Sequence, residues 1–241
     1  MHFDRVATGY AAARPPYPPE LWRDVLATGL VGPGRRALDL GAGSGEATGE
    51  LLTRGMDVVA VEPGTNLAAA LHERFPKATI IRSRTEDIRP ASATFDLAVA
   101  ATSMHWMDLD IILPIIHRSL TADGRLLVWR NVFGDAAAPV TPFRREVQHI
   151  VGRRGTDRPG TPEDAYATAE KIADSGLFTI ERLRHYRWTI DLTTEQVRAL
   201  FGTFSDWTPK EVDRAASAVD ALGGAVSESY TSWLIAASPS P

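Results

Sequence analysis

The stretch Ala37-Leu38-Asp39-Leu40-Gly41-Ala42-Gly43-Ser44-Gly45 carries a short apolar strand straight into a loop with almost no side chains. Glycine takes positive φ without steric cost and has no Cβ to hold a ligand away. Gly41, Gly43 and Gly45 therefore permit a tight turn and a close approach of the backbone to a bound group. The next segment, Glu46 to Arg54, reads as a helix whose first N–H groups face back toward the loop. Together these describe a nucleotide-type site at the carboxyl end of a first strand; the competing reading is a plain glycine-rich turn without ligand.

A dinucleotide fingerprint asks for a third glycine where Glu46 stands, and the Lys and Ser/Thr of a phosphate-cradling loop are missing. Asp39, placed before the glycines, repels a pyrophosphate and suits a cationic ammonium. A second strand, Asp57 to Val61, ends in Glu62, an acid able to take both hydroxyls of a ribose. A third, Thr79 to Arg82, leads to Thr85-Glu86-Asp87-Ile88, where a carboxylate can accept from an adenine amine; Asp87 is the preferred acceptor and Glu86 its neighbour. Acids behind successive strands describe a ligand with an amino acid end, a ribose and an adenine.

Asp39 to Gly45, Glu62 and Glu86-Asp87 resemble the cofactor motifs of class I S-adenosylmethionine-dependent methyltransferases. Tyr10-Ala11-Ala12-Ala13-Arg14-Pro15-Pro16-Tyr17-Pro18 and Ser103-Met104-His105-Trp106 are similar to the small-molecule branch that includes trans-aconitate-type methyltransferases. The likeness spans roughly Phe3 to Phe133; Thr203-Phe204-Ser205-Asp206-Trp207 and Tyr230-Thr231-Ser232-Trp233-Leu234 resemble the branch only loosely. The resemblance implies a Rossmann-like α/β fold with a mostly parallel seven-stranded sheet of order 3-2-1-4-5-7-6 and helices on both faces. One domain would span 1–241, with the cofactor half in 1–134 and the acceptor side in 135–241. The implied cofactor site comprises Tyr10, Arg14, Asp39, Gly41, Ala42, Gly43, Glu62, Pro63, Glu86, Asp87 and Ser103, which would hold S-adenosyl-L-methionine and release S-adenosyl-L-homocysteine. Tyr17, His105, Trp106 and Arg130 are the candidate acceptor contacts, and His105 the candidate base.

Composition narrows the partners. A 241-residue chain with 44% hydrophobic and 23% charged residues is an ordinary globule, long enough for one large α/β domain. Its net charge of −4 lacks the basic surplus that binding to nucleic acid or anionic membranes requires, so a small-molecule acceptor is favoured. Without cysteine neither a disulfide nor a thiolate metal site forms, and no Glu/Asp/His spacing reads as a metal site. The start has no apolar signal core, and no run approaches the roughly 18 apolar residues of a membrane span. The expectation is a cytoplasmic monomer or homodimer.

Short apolar strands alternating with helices predict a parallel sheet covered on both faces. After a helix around Phe3 to Ala12, Pro18-Pro19 opens a second one to Ala27, with Leu21, Val25 and Leu26 as its buried side. Further on, a strand is expected over Phe95 to Ala100, a helix over Leu109 to Leu120, a turn at Ala122-Asp123-Gly124 and a strand over Arg125 to Val132. Helices over Pro139 to Val151, Pro162 to Ser175, Thr194 to Phe204 and Pro209 to Leu222 are expected to cap the carboxyl edge and shape an acceptor pocket, with strands over Thr179 to Ile190 and Ser229 to Ala236. Arg144, Arg145, Arg153, Arg154 and Arg158 read as a solvated surface, and His149 and His185 as structural.

Methyl transfer from a sulfonium is an in-line displacement in which alignment does most of the work. A carboxylate acceptor needs no base, and Arg14 or Arg130 can orient it; a hydroxyl, phenol or amine needs a base such as His105 within about 3 Å of its proton. Carboxyl O-methylation of an organic acid is the favoured activity. The alternatives are O- or N-methylation of a secondary metabolite and an accessory protein that binds the cofactor without turnover, while Glu46 disfavours an NAD-linked oxidoreductase.

Overall fold

Strand residues point alternately to the two faces of a sheet, so a strand covered on both sides must be apolar at nearly every position. β1 (Arg36–Leu40) obeys this: Leu38 and Leu40 enter one core while Ala37 enters the other. β4 (Phe95–Ala101) divides into Ala98 and Ala100 against Leu97 and Val99, and β5 (Leu120–Phe133) into Leu126 and Val128 against Leu127 and Trp129. The computed structural model describes residues 13–153, 164–204 and 206–240. Among them, β2 (Asp57–Val61), β3 (Thr79–Ile81), β6 (Phe178–Thr193) and β7 (Ala225–Pro239) complete a seven-stranded sheet of order β3-β2-β1-β4-β5-β7-β6. The first five strands run parallel, and β7 lies antiparallel between β5 and β6.

Helices close both faces. α1 (Pro19–Leu26) and α2 (Glu46–Thr53) cover the Leu97/Trp129 face, and α3 (Thr65–Arg74) packs Leu71 with Ala60 near the β3 edge. α4 (Leu109–Ser119) covers the opposite face with Ile112 and Ile116. A separate core lies beyond the carboxyl edge, where α5 (Pro142–Gly152), α7 (Thr194–Gly202) and α8 (Pro209–Ala221) gather Phe143, Val147, Phe201 and Val212 around Tyr230 of β7. α7 and α8 each begin with a capping box, Thr193 with Gln196 and Thr208 with Glu211, which satisfies otherwise orphaned N–H groups.

Four expectations need correction or extension. Leu26 is 41% exposed; Trp22 takes its place in the core, packed edge-on to Trp129 at 5.5 Å. Ala122-Asp123-Gly124 is no free turn: Leu120 pairs with Phe95 and Arg125 with Leu97, so the intervening residues bulge within β5. α6 (Ala165–Asp174) does more than shape the edge: Thr168 and Lys171 line a cavity with His105 and Arg130, while Ala169 and Ile172 join the α4 core, because its apolar stripe matches that face. Arg144 is not solvated, since its guanidinium pairs at 2.8 Å with Glu228, itself buried, and lies 3.9 Å over the Phe133 ring. The helix expected over Phe3 to Ala12, together with Tyr10, Arg154 and Arg158, lies outside the described residues. No helix among those described is long and apolar enough to cross a membrane.

Candidate active site

The loop after β1 is built as its glycines suggest. Gly41, Gly43 and Gly45 all have positive φ, and a Cβ at Gly41 would sit 2.7 Å from the Ser103 Cβ. A Cβ at Gly45 would meet Leu71 and Phe75 of the α3 region within 2.5 Å, whereas at Gly43 it would meet nothing within 4 Å. The loop is thus packed hard from behind at Gly41 and Gly45 and open at Gly43, as a cradle for a ligand requires.

Asp39 is wholly buried. One oxygen accepts from the Thr48 hydroxyl at 2.6 Å, while Oδ1 has no hydrogen-bond partner among the described residues. Burial pushes its carboxyl up to about 7, the Thr48 bond opposes this, and the nearby charges of Glu46 and Glu62 add to it. An orphaned acceptor in an acid-rich pocket is electrostatically primed for a cation. Glu62, also buried, accepts from the backbone N–H of Gly43 at 2.9 Å and of Gly64 at 2.7 Å, so it ties the glycine loop to the Pro63-Gly64 turn.

Glu86 and Asp87 part company. Glu86 is buried and accepts from the Asp108 N–H at 3.1 Å, fixing the Thr85–Asp87 turn to the start of α4. Burial raises its carboxyl, but the backbone N–H groups of Glu86 and Asp108, with Arg84, outweigh this and hold it below the usual range. Asp87 is exposed. Ser103 donates its hydroxyl to the Leu40 carbonyl at 2.5 Å, bridging the ends of β1 and β4.

In front of the loop is a cavity of about 290 Å³. Gly41, Ala42, Gly43, Ser44 and Glu46 form one wall, and Arg14, Tyr17, His105, Trp106 and Arg130 join them as lining, so the structure collects residues predicted from four separate segments. Tyr17 hydrogen-bonds the Thr102 hydroxyl at 2.9 Å; Thr102, just past β4, has φ of 58°, a strained conformation for a non-glycine residue. His105 tilts against Trp106 at 4.6 Å in the Met104–Trp106 turn, and Trp106 is 62% exposed at the rim. Asp39, Glu62, Pro63, Glu86, Asp87 and Ser103 are not in the cavity lining; Asp39 and Glu62 lie behind the glycine loop that is.

Several lining residues escape sequence reasoning. Asn131 donates to the Pro15 and Pro16 carbonyls at 3.2 Å and accepts from the Ser232 hydroxyl at 2.7 Å, clasping the N-terminal segment to the sheet edge. Phe133, Leu200, Phe204 and Tyr230 close the far end, with the Arg14 guanidinium 5.1 Å over the Phe204 ring. For Asn131 the available signal was a polar residue near the end of an apolar strand; for Phe204 and Tyr230 it was the loose likeness of their segments to the branch.

Comparisons with known proteins place the chain in a family and a fold. Residues 38–128 match the methyltransferase domain family. An uncharacterized methyltransferase of Mycobacterium tuberculosis is 32% identical over 199 residues, 81% of this chain and 73% of that protein. The chain belongs to the methyltransferases, and it is an S-adenosylmethionine-dependent enzyme of that family. Among solved structures, a provisionally assigned type II methyltransferase from Anaeromyxobacter dehalogenans has the same fold at TM-score 0.69 and 24% identity, covering 94% of this chain and 97% of that one. A geranyl diphosphate C-methyltransferase from Streptomyces coelicolor, solved with Mg2+, geranyl diphosphate and S-adenosyl-L-homocysteine, shares the fold at TM-score 0.52 and 14% identity, covering 88% and 75%.

Proposed function

We propose that the protein transfers a methyl group from S-adenosylmethionine to the carboxylate of a small organic acid, as a member of the small-molecule branch that includes trans-aconitate-type enzymes. The observation that carries this reading is the shared lining, in which Arg14 and Arg130 face the same cavity as Gly41 and Gly43. The cofactor fits the residues present: the orphaned Asp39 Oδ1 suits its ammonium, Glu62 at the end of β2 suits its ribose, and Asp87 its adenine amine. When bound, it supplies an activated methyl on a good leaving group.

The chain's own residues then need only orient and exclude. Arg14 and Arg130 hold the acceptor carboxylate, which attacks as the anion and needs no base. The Tyr17 bond to Thr102 and the Asn131 bonds to Pro15 and Pro16 keep the N-terminal segment over the cavity, where it limits access of water. A second reading rests on His105 lining the cavity: with a hydroxyl or amine acceptor it would take the acceptor proton.

The test is turnover of methyl-labelled S-adenosylmethionine with paired carboxylic acids, phenols and amines. A product released by mild hydroxide is an ester and supports the carboxyl reading. A base-stable product, made with activity that His105→Gln abolishes, replaces it with the second. Binding of the donor without turnover of any acceptor would point to an accessory role.

A further inference from the structure

Because β7 runs antiparallel to β5, its first half returns to the carboxyl edge, where the parallel strands end. Tyr230 sits there opposite Phe133 on β5 and Trp188 on β6. Its ring is gripped edge-on by Phe133 at 5.3 Å and tilted against Trp188 at 4.9 Å, and the residue is 2% exposed. It nonetheless lines the cavity faced by the glycine loop, and its hydroxyl has no hydrogen-bond partner among the described residues. A buried phenol normally finds a partner, and leaving one unmade has a cost; phenylalanine would fill the same space without it. The cations Arg14 and Arg144 lie near enough to favour the phenolate, yet burial dominates and keeps the group a protonated donor.

We infer that the Tyr230 hydroxyl binds the acceptor, donating to the carboxylate oxygen that does not attack, and that the acceptor is an organic acid with an apolar or aromatic body. The second part follows from what surrounds the hydroxyl: the rings and alkyl groups of Phe133, Leu200 and Phe204 line this end of the cavity and suit an apolar or aromatic body, while Arg14, over the Phe204 ring, is there to hold the carboxylate. The inference rests on the carboxyl reading above. The step balances simply: the free carboxylate oxygen forms a bond to the methyl carbon, the carbon–sulfur bond breaks with its electron pair on sulfur, and no proton moves. Tyr230 keeps its hydrogen throughout, so it is a binding residue and not a base.

The test compares wild type and Tyr230→Phe in methyl transfer to octanoate, phenylacetate and citrate, with phenol and octylamine alongside, while calorimetry follows S-adenosyl-L-homocysteine. Octanoate or phenylacetate should be esterified in preference to citrate. Tyr230→Phe should raise the acceptor KM about 10-fold, leave S-adenosyl-L-homocysteine affinity within about 2-fold and leave Tm unchanged or higher, since no protein bond is lost. A structural role would instead lower Tm and leave KM alone. Unchanged KM in the variant overturns the Tyr230 assignment and leaves carboxyl transfer standing. Preference for citrate, or no turnover of any acid, overturns the apolar-acid assignment; a base-stable product from phenol or octylamine with KM still raised overturns the carboxyl reading but keeps Tyr230 at the acceptor.

Discussion

The two sides of the proposed site are made differently. The proposed donor side is local: Asp39 bonds Thr48 nine residues on, and Glu62 bonds Gly64 and Gly43, two and nineteen residues away. The proposed acceptor side is assembled at long range, with Tyr17 bonded to Thr102 across 85 residues and Asn131 to Pro15 across 116. Backbone and buried acids shape the first, ring faces and cations the second. A contiguous motif fixes a donor shared by a family, while distant side chains can vary with the acceptor and leave the donor site untouched.

The sharpest break of that contrast is at Asp39. Asp39→Ala should weaken S-adenosyl-L-homocysteine by about 100-fold or more, since removing one member of a buried charge pair costs about 3–5 kcal/mol; calorimetry beside NAD, with Glu62→Ala in parallel, measures it. NAD should not bind. Because the Asp39 carboxyl sits at about 7 without ligand, affinity should fall as pH drops below 7, approaching tenfold per pH unit, and Asp39→Asn should abolish that slope. Stability of the ligand-free protein carries the opposite sign. The unfolded chain ionises Asp39 above about pH 4 and the folded protein only near 7, so the folded state binds more protons between them. Stability from this group therefore falls as pH rises from about 4 to about 7, readable as a urea midpoint.

Within the glycine loop, Gly41→Val should destabilise by about 2–4 kcal/mol, combining left-handed strain with the clash at Ser103. Gly43→Ala meets open space and should cost about 1–2 kcal/mol of strain, so urea denaturation of the pair separates packing from backbone conformation. On the acceptor side, Asn131→Ala leaves the Ser232 hydroxyl short of an acceptor and frees the N-terminal segment; a loss of about 1–2 kcal/mol is expected, with kcat/KM reduced about 10-fold and donor affinity within about 3-fold. Trp106→Ala, at the exposed rim, should change stability by less than about 0.5 kcal/mol. A large loss of donor affinity in Asn131→Ala would erase the proposed division between the sides.

Much of the first region was legible along the chain. The covered parallel strands follow from the apolar runs, because such strands must be apolar, and Asp39 and Glu62 stand near their carboxyl ends, where ligands bind; the order of the strands came only with the family resemblance. The separation of Glu86 from Asp87 was not legible, since adjacent acids in a turn look alike until one is drawn under Asp108. Nor was Trp22 in place of Leu26, which depends on Trp129 standing across the helix.

By itself the sequence determined the class of fold and the glycine loop with the acids that flank it, because periodicity, glycine φ and an acid at a strand end act within a few residues of one another. Only the tertiary structure decided that Arg144 pairs with the buried Glu228, that Asn131 clasps Pro15 and Pro16, and that Tyr230 reaches the cavity from a reversed strand. Those contacts join residues up to 116 positions apart, and no local preference of the chain encodes which distant partner the sheet will bring to its edge.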